Sequence, residues 1–100
     1  MRITNKSTKK TFTVTVTTAG TPVQFDSYPV DNGVEIVVRA HPDNTGRVFV
    51  GVSSATALST SGQNDPLNNN QSVSYQLQNT NGLWADAAVS GEKVIVSFEQ

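Results

Sequence analysis

One hundred residues make one domain with a single modest core. The absence of cysteine excludes disulfides and thiolate chemistry, and a lone histidine excludes a zinc site built on a His pair. A formal net charge of −1 hides a split: Arg2, Lys6, Lys9 and Lys10 make the first ten residues +4, while the remainder carries three bases against eight acids.

"MRITNKSTKK", residues 1–10, therefore reads as a basic N-terminal arm, and residues 11–100 as the folded domain. The opening lacks the apolar segment of a signal peptide, and no run approaches membrane-spanning length. Synthesis in the cytoplasm without a membrane partner is the expectation. Thr and Val supply 26 residues, against 14 for Leu, Glu, Lys and Arg together. β-Branched side chains lose χ1 freedom in a helix and pack well on a pleated surface, so the bias favours strands.

"TFTVTVT", Thr11 to Thr17, alternates strictly, with Phe12, Val14 and Val16 on one face. Period two predicts a half-buried strand. Gly20 and Pro22 break it, and "VQF" at 23–25 predicts a short second strand. "VEIVVRA" puts Val34, Ile36, Val38 and Ala40 on one face, and "RVFVGV" puts Val48, Val50 and Val52 on one face. "HPDNTG", His41 to Gly46, joins these two runs and reads as the tip of an antiparallel hairpin. Residues 53–71 form one long irregular stretch, with Leu58 and Leu67 as tethers and room for a helical turn at "ATAL". "SVSYQLQ" alternates with Val73, Tyr75 and Leu77 inward. Asn81-Gly82 is the strongest hairpin signal in the chain. "LWADA", the tight turn "SGE" at 90–92 and "KVIVSFE" complete the series, the last with Val94, Val96 and Phe98 buried. These elements predict an all-β fold: a single antiparallel β-sandwich, jelly-roll-like or Ig-like, of about six to eight short strands.

The candidate chemistries are few. His41, Asp43 and Asn44 gather in one polar tip, but Pro42 and the Asx and Gly residues around them are also ordinary turn chemistry. No "GxSxG" elbow surrounds any serine. Asp26, Asp31, Asp43 and Asp65 sit in loops where Ca²⁺ could find oxygens, without the dense spacing of an EF-hand. The seven glycines are scattered singly, so no phosphate loop is read. These features predict no enzyme, no cofactor and no metal. The basic arm lacks interleaved aromatics, so nucleic acid is not the expected partner; the same charges suit an acidic protein surface or simply a solvated, frayed N-terminus. Trp84 shares a strand face with Asp86, opposite Leu83, Ala85 and Ala87. It is either core, an interface anchor or a sugar-stacking platform.

"VTTAGTPVQF", "VEIVVRAHPDNTGRVFVG" and "DPLNNNQSVSYQLQNTNGLWADAAVSGEKV" follow one another in an order that resembles small structural proteins and domains of tailed bacteriophages. The resemblance spans most of residues 14–96. It implies a β-sandwich that binds the major capsid protein or other virion proteins as a homo-oligomer, with a trimer favoured, and it carries no catalytic residues. Where related sequences have a Pro-Gly turn, this chain reads "PLNNNQSVSY", which implies local flexibility at Asn68 to Gln71. The basic start lies outside the shared pattern. Arg2, Lys6, Lys9, Lys10 and Trp84 are thus the candidate protein contacts. The function this implies is a capsid decoration protein, located in the virion. The alternatives are a tail or head-to-tail component, and a carbohydrate-binding adsorption module using Trp84, Tyr28 and Tyr75.

Overall fold

Alternating apolar residues become strands wherever the sequence shows them. The computed structural model describes residues 9–100. Among these residues, β1 (Lys9–Val16), β8 (Glu92–Glu99), β3 (Ile36–Ala40) and β6 (Ser72–Tyr75) form one sheet in that spatial order. The second sheet runs β2 (Val23–Gln24), β7 (Trp84–Ala87), β4 (Val48–Gly51) and β5 (Asp65–Leu67). Every pairing is antiparallel. The all-β sandwich expected from the sequence is therefore the fold.

The pairings β1–β8, β2–β7, β3–β6 and β4–β5 describe one long ribbon folded at the β4–β5 connection. Rolling that ribbon adds the β8–β3 and β7–β4 contacts, and the outcome is a jelly-roll strand order. Inward side chains from both sheets meet in one core. Val14, Val16, Ile36, Val38, Val94 and Val96 come from the first sheet; Val48, Val50, Leu67, Ala85 and Ala87 come from the second, with Phe25 and Leu83 beside them. Small residues on β7 let the sheets approach, since alanine fills little of the space between them.

The rolled topology corrects two sequence expectations. β3 and β4 belong to different sheets, so "HPDNTG" is a crossover and not a hairpin tip. β6 and β7 are likewise in different sheets, and Asn81-Gly82 lies in a single 3-10 turn (Thr80–Gly82) capped by the Asn79 side chain. A hairpin signal reports a local reversal, and a crossover needs the same reversal. Val52, expected inward, is 55% exposed, because β4 ends one residue earlier. At that point helix α1 (Ser54–Ala57) closes over Gly51, where an added Cβ would lie 2.7 Å from the Ala57 nitrogen. Only glycine permits that approach.

The stretch 53–71 holds more structure than its composition suggests. Ser53 caps α1 by accepting the Thr56 N–H at 3.1 Å, and β5 pairs with β4. Leu67 is buried and Leu58 half-buried. In the turn at 68–71, Asn70 takes the left-handed conformation at φ 67° and donates its N–H to the Ala40 carbonyl at 3.1 Å. Asn69 donates to the Pro42 carbonyl at 2.9 Å. Asparagine chemistry thus supplies the turn that Pro-Gly would otherwise make.

One side of the sandwich is closed by a side-chain bridge between the two sheets. Tyr75, on edge strand β6, donates its hydroxyl proton to Asp65 on edge strand β5. Burial, the hydrogen bond to Asp65 and the Asp65 charge all hold the phenol well above its ordinary value of 10.0. A pKa raised on folding means that the native state retains the proton. The resulting stabilisation is complete below about pH 10 and is lost as pH rises past it. Tyr75→Phe is therefore expected to flatten the fall in unfolding free energy between about pH 10 and pH 11, measured by urea denaturation. An unchanged slope would show that the phenol is not so held.

Candidate functional site

The polar tip at 41–46 is built almost entirely from its own crossover. The His41 N–H donates to the Lys93 carbonyl at 3.1 Å, extending the β3–β8 ladder by one residue. Asn44, 8% exposed, then mimics a strand residue: its amide nitrogen donates to the Lys93 carbonyl at 2.8 Å, and its oxygen accepts the Lys93 N–H at 2.9 Å. Glu92, 5% exposed, accepts the Thr45 N–H at 3.1 Å, the Thr45 hydroxyl at 3.0 Å and the Gly46 N–H at 3.3 Å. Chain reversal, not ligand capture, occupies these groups.

His41 itself is committed to the turn. Its Nδ1 accepts the Asp43 N–H at 3.0 Å, so in this arrangement that nitrogen carries no proton. The 3.9 Å approach of the Asp43 carboxylate to the same nitrogen is then not an ion pair. Asp43 points away, 90% exposed. The other candidate carboxylates are dispersed: Asp65 serves Tyr75, and Asp26 and Asp31 are exposed in the 25–35 loop. Among the described residues no three His, Cys, Asp or Glu side chains gather in a metal-binding group.

Asp86 is the second buried carboxylate, and its role parallels that of Glu92. On the outer side of β7, it accepts the Gly20 N–H and the Ala87 N–H at 2.8 Å and the Ser59 N–H at 2.7 Å. It thereby fastens two loops from opposite ends of the sandwich onto the outside of the second sheet. Thr80 does the same for the 26–28 loop, accepting the Tyr28 N–H at 3.0 Å and donating to the Asp26 carbonyl. No buried side-chain nitrogen or oxygen among the described residues lacks a partner. Glu92 had a sequence signal, since the alternation of "EKVIVSF" puts it on the inward face with Val94; its partners had none.

The candidate contact residues fall in different places. Arg2 and Lys6 lie outside the described residues. Lys9 and Lys10 begin β1, two residues before the expected start, opposite Glu99 and Phe98. The Lys10 ammonium sits 4.4 Å from the centre of the Tyr28 ring, which also packs on Phe12 at 4.9 Å between centroids. One face of Tyr28 is thus already covered by a cation. Trp84 is half-buried on the outer side of β7, between Gln24 of β2 and Gly51 of β4. Two open depressions among the described residues, about 420 and 250 Å³, flank the β1–β8 end and are lined by Lys9 and Glu35 in one and Lys10 and Tyr28 in the other. They share Phe98 and hold no convergent catalytic set.

The outer face of the β1-β8-β3-β6 sheet carries an ordered array of side chains. The register aligns Thr11, Ser97, Val37 and Ser74 in one row, and Thr13, Ile95, Arg39 and Ser72 in the next. Hydroxyls surround a half-buried Val37–Ile95 centre. Such a face offers short side chains that lose little entropy on contact. Comparison with known proteins finds no match: no family model, curated protein or solved structure is detectably similar to this chain.

Separate roles within one tip give a direct test. Asn44→Ala removes a buried bidentate link to Lys93 and is expected to cost about 2–3 kcal/mol in chemical denaturation. Asp43→Ala should stay within about 0.5 kcal/mol. Equal effects would mean that the tip is not organised around Asn44.

Proposed function

We propose that this chain is a structural protein of a tailed-bacteriophage particle, a capsid decoration protein that binds the outer shell and stabilises it. The observation that carries the reading is the pairing of an internally satisfied jelly roll with a wide, hydroxyl-rich sheet face. Jelly rolls serve as frames in viral capsid and lectin domains. The resemblance of the ordered sequence motifs to phage structural proteins supports the phage part of the reading. A face of Thr and Ser around Val37 and Ile95, with Arg39 in the same row, suits a polar, wet protein contact, where shape and hydrogen bonding supply the fit.

The mechanism is linkage. A protein that binds the assembled shell and not its free subunits raises shell stability in proportion to the logarithm of its concentration over its dissociation constant. The basic residues Arg2, Lys6 and Lys9 add steering toward acidic patches on the shell, and that component weakens with salt. No covalent chemistry is needed. Trp84 supports a second reading, a glycan-binding module, because its half-exposed ring lies on a sheet face as a stacking platform does.

Purified protein mixed with expanded shells that lack it is expected to co-sediment with them and to raise their disassembly temperature. The protein should also appear in denaturing gels of complete particles. Absence from particles and no shell binding would overturn the reading. Density at the tail in cryo-microscopy would move it to an appendage role, and glycan binding abolished by Trp84→Ala would replace it with the second reading.

A further inference from the structure

The four sheet edges are unequal in a way that calls for a partner. β2, β5 and β6 are two, three and four residues long, but β1 is eight. Folded proteins keep exposed edges short, because an unpaired edge is a template for another strand. Among the described residues, β1 has only β8 as a ladder neighbour. No other described residue pairs with its second edge.

The register says which groups that edge presents. The His41 N–H donates to the Lys93 carbonyl, so the odd-numbered residues of β8 direct their backbone groups toward β3. Backbone direction alternates along a strand, so Val94, Val96 and Phe98 bond to β1. Their partners are Val14, Phe12 and Lys10. Lys9, Thr11, Thr13 and Thr15 are left with N–H and C=O aimed outward from the sheet. The side chains of Thr11, Thr13 and Thr15 are also exposed on the outer face.

We infer that β1 pairs antiparallel with β1 of a second copy of this chain, about a twofold axis at Thr13. "TFTVT", Thr11 to Thr15, is nearly symmetric in residue type about its centre. Antiparallel pairing there sets Thr13 against Thr13, Thr11 against Thr15, and Phe12 against Val14, each in both directions. Cross-strand Thr–Thr and aromatic–β-branched pairs are favourable, and all three threonine pairs fall at hydrogen-bonded positions. The charges agree with this choice. Lys9 and Lys10 go to opposite outer ends, where Lys10 faces Val16 of the other copy, whereas parallel pairing would stack lysine on lysine. The twofold contact is self-complementary and closes, joining two four-stranded sheets into one and doubling the hydroxyl face. It goes beyond the shell-binding reading, and its symmetry differs from the trimer that the phage resemblance implies.

Because the chain has no cysteine, one substitution probes the axis directly. At a hydrogen-bonded antiparallel pair the Cα atoms are about 5.5 Å apart, within disulfide reach. Thr13→Cys is expected to form a disulfide-linked dimer under mild oxidation at least about tenfold faster than Ser74→Cys on the opposite edge. Thr13→Lys sets two ammonium groups against each other across the axis and leaves the β8 ladder intact. It should remain folded by circular dichroism and shift the dimer to monomer by mass measurement. A wild-type protein that stays monomeric at high concentration, or forms a three-chain species, overturns the inference, as does equal cross-linking at Thr13 and Ser74. None of those results bears on whether the protein binds shells.

Discussion

A connection that leaves one sheet and enters the other carries backbone N–H groups that no ladder can satisfy. In this chain every link between consecutive strands except β4 to β5 makes that crossing. An unpaired buried donor costs about as much as a hydrogen bond is worth, so each crossing needs a substitute for the missing strand, either a backbone carbonyl such as those of Arg47 and Val16 or a side chain. Asn44, Glu92, Asp86 and Thr80 do this for the crossings at 17–22, 25–35 and 41–47, and Asp86 also holds Ser59 in the β4–β5 connection. The sandwich depends on them because they fasten one sheet's loops to the other.

Their chemistry matches the task. A carboxylate accepts several N–H bonds at once, and such charge-assisted bonds are stronger than neutral ones. Glu92 spends its acceptors on Thr45 and Gly46, Asp86 on Gly20, Ser59 and Ala87. Neither points into a cleft. This distinguishes buried acids that organise a backbone from buried acids poised for proton transfer, and it also accounts for the polar tip at His41. What looked like a gathering of reactive groups is the requirement of a crossover.

The strands were legible in the sequence, because period-two alternation depends only on which face is buried. "TFTVTVT", "VEIVVRA" and "KVIVSFE" all became strands with the expected inward residues. Sheet membership was not legible. "NTG" and "NTNG" mark reversals, and a reversal between sheets uses the same residues as one within a sheet. β5 escaped notice because "DPL" reads as a breaker, although proline is tolerated on an edge strand such as this one. The place of Trp84 depended on what covers the outside of β7, where α1 and the 58–61 loop arrive from elsewhere in the chain. Charge alone placed Lys10 in a docking arm, but its ammonium lies over the Tyr28 ring.

A frame whose polar interior is fully occupied leaves its outer faces and edges as the working surfaces. The hydroxyl-rich face and the open edge of β1 adjoin each other, so a contact made by one extends onto the other. That division between bracing loops and contact face is read most directly by native-state hydrogen exchange, residue by residue. The amides of Gly20, Thr45, Gly46 and Ser59, held by Asp86 and Glu92, should exchange within about tenfold of the core strand amides. Exchange of those four at the rate of free loop amides would contradict the bracing role, and with it the claim that these loops are structure and not site.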